Sequence, residues 1–180
     1  MNNEKNNITN NDNQIKVKAI LEEHNMYHVP VNIIMLAEME GFTVLEADMK
    51  EDGFIAVSDE EFDLHGQKLK KAILVNRKHS FERKVFTIAH ELGHWFLDCN
   101  RELKNFTGFR DDNINENHVN NEPDINSFAS ELLMPEGLLT KFIDDNIEYG
   151  ISINKISDNF VVSRSAAKVR FEKYLKTKSC

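Results

Sequence analysis

Residues 86–98, FTIAHELGHWFLD, decide the fold because they lie inside the most regular apolar pattern of the chain. Between residues 81 and 97 the apolar side chains recur every three or four positions, which is typical of an amphipathic helix. Ser80 precedes this run and is suited to accept a hydrogen bond from a backbone N–H of the first turn. The pattern therefore predicts a helix over residues 81–97.

This helix carries the motif H-E-x-x-H, formed by His90, Glu91 and His94. Four residues at 3.6 per turn bring both imidazoles to one face, where they can bind a single zinc ion. Glu91 points about 100° away from His90 and can take a proton from a water that the metal activates. The alternative is a set of polar side chains on an amphipathic helix. The neighbouring Ile88 and Leu92 argue against it, because unpaired imidazoles beside an apolar face are costly.

A catalytic zinc site needs a third protein ligand. The candidates downstream are Asp98, Glu116, His118, Glu122 and Glu131. Glu122 is favoured because it stands at the start of the next helical pattern, and Asn126, one turn later, can hydrogen-bond a ligating histidine from outside the ligand set. His118 stays a second option, as third ligand or as a stabiliser of the transition state. Asp98 is interpreted as a residue at the helix end.

Outward from this helix the chain alternates polar segments with short regular elements. Residues 1–14 are Asn-rich, which predicts a disordered leader. Residues 98–121 are polar and poor in aliphatic side chains, which predicts a long loop of the kind that is usually functional or mobile. Helices are predicted from residue 15 and over 31–40, 124–134, 136–146, 153–160 and 163–174, and strands over 42–47, 54–58 and 71–76. The expected class is α+β, with a small mixed sheet packed against the motif helix. The expected domains are the leader, a body over 15–146 and a helical module over 147–180.

Two blocks of the sequence resemble the ImmA/IrrE family of zinc metallopeptidases. They are FTIAHELGHWFLD at 86–98 and EPDINSFASELLMP at 122–135, and similarity in pattern extends over roughly residues 25–175. The resemblance implies a zincin-like core in which His90, His94 and Glu122 bind zinc and Glu91 is the general base. Ile125 departs from the alanine that the family usually has there, which we expect to affect packing more than chemistry. Several family members cleave a helix-turn-helix repressor encoded beside them, so the implied partner is such a repressor.

The net charge of the chain limits the kinds of molecule that it is expected to bind. The chain has 180 residues, with 22 Lys and Arg against 30 Asp and Glu, a formal charge of −8. An acidic surface of this kind argues against a protein that binds nucleic acid or anionic membrane all over. The two cysteines, Cys99 and Cys180, lie far apart in the sequence, which is typical of a protein from a reducing compartment. No stretch is apolar enough to span a membrane, and the first residues do not resemble a signal peptide. We therefore expect a cytoplasmic protein without a membrane anchor.

The charge is distributed unevenly. Residues 151–180 carry seven basic and two acidic residues, a net charge of +5, which leaves −13 on residues 1–150. Their two predicted helices resemble a helix-turn-helix, with Ser163, Arg164, Ser165 and Lys168 at the start of the second helix. Short helix pairs are common and runs of charge usually face solvent, so the favoured interpretation is a packing module whose basic face is exposed to water. DNA binding and docking of an acidic or repressor-like protein remain alternatives.

The motif thus predicts a zinc-dependent peptidase, and the resemblance implies an endopeptidase that cleaves a partner repressor. A stabiliser of the transition state is expected in the 98–121 segment, where His118 and Arg110 are the candidates. The competing hypothesis is a non-proteolytic regulator with a structural zinc site that binds DNA or a transcription factor. Glu91 discriminates between them, because a structural zinc site has no need of a general base.

Overall fold

The computed structural model describes residues 2–64, 66–97, 106–107 and 122–178. Its helices are α1 (Asn2–Glu23), α2 (Ile33–Met39), α3 (Phe81–Leu97), α4 (Glu122–Leu133), α5 (Glu136–Asn146), α6 (Ile153–Phe160) and α7 (Arg164–Lys178), with a 3₁₀ turn over Ile147–Tyr149. Its strands are β1 (Thr43–Ala47), β2 (Gly53–Leu64), β3 (Gln67–Asn76) and β4 (Phe106–Thr107). The protein is therefore a mixed α+β protein with a small sheet, which confirms the predicted class at this level.

Contacts divide the chain into two compact units. One combines the first 32 residues with residues 130–180, and the other spans Ile33–Ala129. The predicted boundaries at 14/15 and 146/147 stay predictions. Residues 2–14, for which the composition predicts a disordered leader, are the first part of α1 in the structure. Among the described helices, none is long and apolar enough to cross a membrane.

The sheet lies in the 33–129 unit and has the strand order β1-β3-β2-β4. β1 runs parallel to β3, whereas β2 is antiparallel to both β3 and β4, so the sheet is mixed. β2 and β3 continue beyond the predicted strands as a hairpin, with Phe62 opposite Leu69 across it. Most residues of this extension are charged, as is common where a strand faces water. The apolar pattern therefore did not predict it.

Helix α3 packs on the sheet and has the bounds that the sequence predicts. Ser80 caps it, because the Arg83 N–H donates to the Ser80 hydroxyl at 3.3 Å. At the other end Trp95 is buried, and its indole N–H donates to the Glu40 carboxylate at 2.8 Å. The Lys71 ammonium lies 4.2 Å from the centre of the Trp95 ring. Both ends of α3 are therefore fixed by specific contacts of its own unit.

A buried amide at the end of β3 orders the loop between β1 and β2. The Asn76 side chain donates to the carbonyls of Met49 and Glu51 at 2.7 and 3.0 Å. Asp52, at the end of this loop, forms an ion pair with Arg83 of α3. The loop is thus ordered by one side chain and joined to the motif helix by another.

In the other unit α6 and α7 are joined by residues 161–163. Val161 ends α6 in the left-handed conformation, with φ 56° and ψ 49°. Ser163 caps α7, because the Ala166 N–H donates to its hydroxyl at 3.2 Å, as the sequence predicts. Buried side chains lie on both helices and in the turn between them, namely Ile156 and Phe160 of α6, Val162 of the turn and Ala167 of α7.

A buried ion pair ties α7 to the end of α4. The Arg170 guanidinium lies 2.8 Å from the Glu131 carboxylate and also donates to the Met134 carbonyl. The other oxygen of Glu131 accepts the Glu136 N–H at 2.7 Å, at the start of α5. Glu131 was among the predicted third metal ligands, and the structure gives its carboxylate these structural partners instead. Removing either charge would leave the other buried without an opposite charge beside it.

We expect Arg170→Met to lower the free energy of unfolding by about 3–5 kcal/mol, because Glu131 would keep a buried, uncompensated charge. Glu131→Gln added to Arg170→Met should recover part of this loss, since the amide oxygen can still accept the Glu136 N–H without carrying charge. Urea unfolding followed by circular dichroism measures both values. Equal stabilities of the single and double variants would contradict the account.

Candidate metal centre

Three side chains meet at the exposed edge of α3. His90 and His94 lie one turn apart on this helix, and their Nε2 atoms are 3.3 Å from each other. Glu122, in the first turn of α4, places one oxygen 3.4 Å from His90 Nε2 and the other 3.8 Å from His94 Nε2. These three residues form a group whose ligand atoms all lie within 4.8 Å of one another. The structure thus brings together the residues that the sequence proposes as metal ligands.

The separations of these atoms match a tetrahedral metal site. Ligands bound at about 2.0–2.1 Å in tetrahedral geometry stand about 3.3–3.4 Å apart. The separation of the two histidine nitrogens and that of His90 Nε2 from the nearer Glu122 oxygen have this value, while the other Glu122 oxygen lies slightly farther, 3.8 Å, from His94 Nε2. Two imidazoles and one carboxylate are also a donor set that binds zinc and leaves a fourth position open. The residues present therefore fit a metal ion without rearrangement of the helices.

Asn126 orients the first histidine. Its side-chain oxygen lies 3.1 Å from His90 Nδ1, so that nitrogen carries the proton and Nε2 keeps its lone pair for a metal. Burial lowers the pKa of His90, and the neighbouring His94 lowers it further. Both effects favour the neutral imidazole, which is the form that binds metal.

Glu91 lies on the buried side of the same helix, with 7% of its surface exposed. Burial raises the pKa of its carboxyl to about 7, while the charge of His94 opposes the rise and that of Glu122 adds to it. A carboxyl that titrates near neutral pH can both accept and return a proton there. Glu91 is not one of the three clustered ligands, which leaves its carboxylate available for proton transfer.

Gly93 allows α4 to approach α3 closely enough to form the site. A Cβ atom added at Gly93 would stand 3.0 Å from Ile125 Cγ2 and 3.5 Å from the Phe128 ring. Ile125 and Phe128 are fully buried, and Phe128 also packs against Phe96 with the ring centres 6.0 Å apart. This role of Gly93 was not predicted from the sequence. A glycine inside an otherwise regular helical pattern is the signal that points to it.

The remaining predicted site residues lie outside the described part of the chain. They are Asp98, Arg110, Glu116 and His118. The imidazole of His79, just before α3, lies with its Nε2 3.4 Å from an oxygen of Asp52.

Comparison with known families gives this arrangement a context. The family model Peptidase_M78, described as the IrrE N-terminal-like domain, matches residues 40–172, most of the chain. The chain belongs to this family. It is therefore a member of the ImmA/IrrE metallopeptidases, and the sequence-based assignment is confirmed. A comparison with curated proteins found no match. The matched segment includes all three clustered residues and the helices that carry them.

Removing the hydrogen bond to His90 should weaken metal binding in this family member. We expect Asn126→Ala to raise the dissociation constant for zinc by about 10–100-fold, because the His90 ring loses the group that fixes its tautomer and orientation. Asn126→Asp keeps an acceptor oxygen and serves as the matched control. Competition with a chromophoric chelator measures the constants. Equal zinc affinities of wild type and Asn126→Ala would contradict this role.

Filling the contact between α3 and α4 should displace Glu122. We expect Gly93→Ala to weaken zinc binding by about tenfold or more, because the added methyl meets Ile125 before the helices reach their native distance. Ile125→Ala in the same chain makes room for the methyl and should restore much of the affinity. A Gly93→Ala variant with native zinc affinity, or a double variant no better than the single one, would show that this packing does not position the ligand.

Proposed function

We propose that the protein is a zinc-dependent endopeptidase with a zincin-like core. The observation that carries the proposal is the cluster of His90 Nε2, His94 Nε2 and the Glu122 carboxylate, with separations of 3.3, 3.4 and 3.8 Å, beside the buried Glu91. Membership of the Peptidase_M78 family supports peptide hydrolysis as the reaction. Zinc held by these three residues would act as a Lewis acid on a peptide carbonyl and lower the pKa of a water molecule.

The chain's own residues supply the proton transfers. Glu91, ionised, accepts a proton from the attacking water and is then the acid that protonates the leaving amine. A carboxyl with a pKa of about 7 suits both steps, because it loses and gains its proton at little cost near neutral pH. His90 and Asn126 hold the metal side of the site, and Glu122 completes it. Arg110 or His118 stays a predicted stabiliser of the transition state.

The substrate we propose is a helix-turn-helix repressor, cleaved at one site to relieve repression. Support comes from the resemblance to the ImmA/IrrE family, several members of which act on a repressor encoded beside them. We place this activity in the cytoplasm, where such a repressor binds DNA. The expected substrate is therefore the product of a neighbouring gene.

A second candidate function is a regulator that binds DNA or a transcription factor without cutting it. The observation that favours it is the exposed start of α7, where Arg164, Ser165 and Lys168 face solvent after the α6–α7 turn. We propose a helix-turn-helix-like module there. At least three of the seven basic residues of the tail form ion pairs inside their own unit, namely Arg170 with Glu131, Lys173 with Glu136 and Lys168 with Glu172. The basic excess open to DNA is therefore smaller than +5, which supports packing or protein docking as its main role.

Cleavage of the neighbouring repressor by the zinc-loaded protein tests the proposal. Intact mass measurement should show two fragments with zinc and none after chelation. Glu91→Gln should bind zinc with native affinity and reduce the cleavage rate by at least about 10³-fold, since it removes the base but no ligand. Glu82→Gln, in the first turn of the same helix, is the matched control and should cleave normally.

Three outcomes would contradict the proposed activity or its assignment. Cleavage that persists after chelation would exclude a metal-dependent reaction. Native cleavage by Glu91→Gln would exclude the proton-transfer role of this carboxylate. Tight binding of the repressor without fragments, at full zinc occupancy, would favour the regulator.

A further inference from the structure

Phe86 shares the half-exposed face of α3 with the two histidines. Positions 86, 90 and 94 are successive i, i+4 neighbours, so their side chains form one stripe along the helix. All three are intermediate in exposure, whereas Val85, Ile88 and Leu92 on the opposite side are buried. The ring of Phe86 lies 6.4 Å from that of His90, tilted by 39°. An aromatic ring thus stands one helical turn from the metal ligands.

Contacts within the unit hold this ring in place. The Arg83 guanidinium lies 5.8 Å from the centre of the Phe86 ring, within the range of a cation–π interaction. Arg83 is in turn fixed by its ion pair with Asp52, which also lies 3.4 Å from His79 Nε2. The Arg83 charge is therefore compensated by Asp52. The surface around the ring selects by apolar contact more than by charge.

The Phe86 ring lies within reach of a side chain next to a carbonyl held at the histidines. Residues of an extended chain rise about 3.4 Å each, so an aromatic or branched side chain on the adjacent residue can extend to a ring 6.4 Å from that of His90. With a carbonyl held beside His90 and His94, a neighbouring side chain would fall on Phe86. Burying that side chain against the ring removes apolar surface from water, which is a source of selectivity of about 10–200-fold between substrates.

We propose that Phe86 lines a substrate subsite that takes an apolar side chain, aromatic or branched, next to the scissile bond. The proposal rests on the proposed metal centre, because the centre fixes where the carbonyl stands. Phe86 is a specificity-determining residue that contacts substrate and takes no part in the proton transfers. Asp52 and Arg83 act through it as positioning residues.

Binding of amino-acid hydroxamates to the zinc-loaded protein tests this without requiring cleavage. The hydroxamate group binds zinc, so the side chain of the probe is presented beside the metal. We expect phenylalanine hydroxamate to bind wild type at least about tenfold more tightly than glycine hydroxamate. In Phe86→Ala this ratio should fall below about threefold, while the affinity for glycine hydroxamate stays native. Isothermal titration calorimetry measures both constants.

Two control variants separate a subsite from a structural role. Phe81 is a second phenylalanine of α3, 57% exposed and on the opposite face from the stripe, so Phe81→Ala should keep the native ratio. Phe86→Leu keeps an apolar side chain and should retain an intermediate ratio, which keeps the test informative if Phe86→Ala does not fold. Leucine hydroxamate should then gain relative to phenylalanine hydroxamate.

The outcomes distinguish the subsite from the function on which it rests. A native ratio in Phe86→Ala or Phe86→Leu, or a wild-type ratio near one, would overturn the subsite and leave the metal centre standing. Failure of glycine hydroxamate to bind the zinc-loaded wild type would overturn the open metal position and the subsite with it. Side-chain preference without any cleavage of the repressor would support the subsite while contradicting the endopeptidase proposal.

Discussion

The packing of α4 against Gly93 of α3 is the contact on which the candidate site depends. Two of the proposed ligands come from α3 and the third from α4, so the distance between these helices decides whether one ion could reach all three. The absence of a side chain at Gly93 lets Ile125 and Phe128 fill the space, with fully buried side chains. Glu122 then stands 3.4 Å from His90. The small size of Gly93 thus lets the apolar contact between α3 and α4 bring Glu122 close to the histidines.

The H-E-x-x-H helix works because its faces have separate tasks. One face is buried in the core of its unit and carries Glu91, whose carboxyl is desolvated enough for its pKa to rise to about 7. The half-exposed face carries both histidines together with Phe86. Two of the three proposed ligands, the proposed base and the proposed substrate contact therefore share one helix, while Glu122 comes from α4. Fixing its two ends through Ser80 and Trp95 preserves their relative positions.

The sequence pattern predicted those helices whose bounds depend on residues close together in the chain. The bounds of α3, α5 and α6 were predicted correctly, because apolar period and capping residues determine them. Glu122 was chosen because it stands at a helix start, and the structure groups it with both histidines, while its role as a ligand stays a prediction. The hairpin over residues 59–70 was missed, because its charged side chains face water and obscure the strand pattern. Gly93 and the Arg170–Glu131 pair were missed because their roles arise from contacts between distant parts of the chain.

A crystal structure of the zinc-loaded protein, with anomalous scattering recorded at the zinc edge, tests the central claim most directly. The account predicts one strong anomalous peak about 2.0–2.2 Å from His90 Nε2, His94 Nε2 and a Glu122 oxygen, with a fourth position filled by solvent. Glu91 should lie outside the ligand set. A peak ligated without Glu122, or a site closed by a fourth protein ligand, would contradict it.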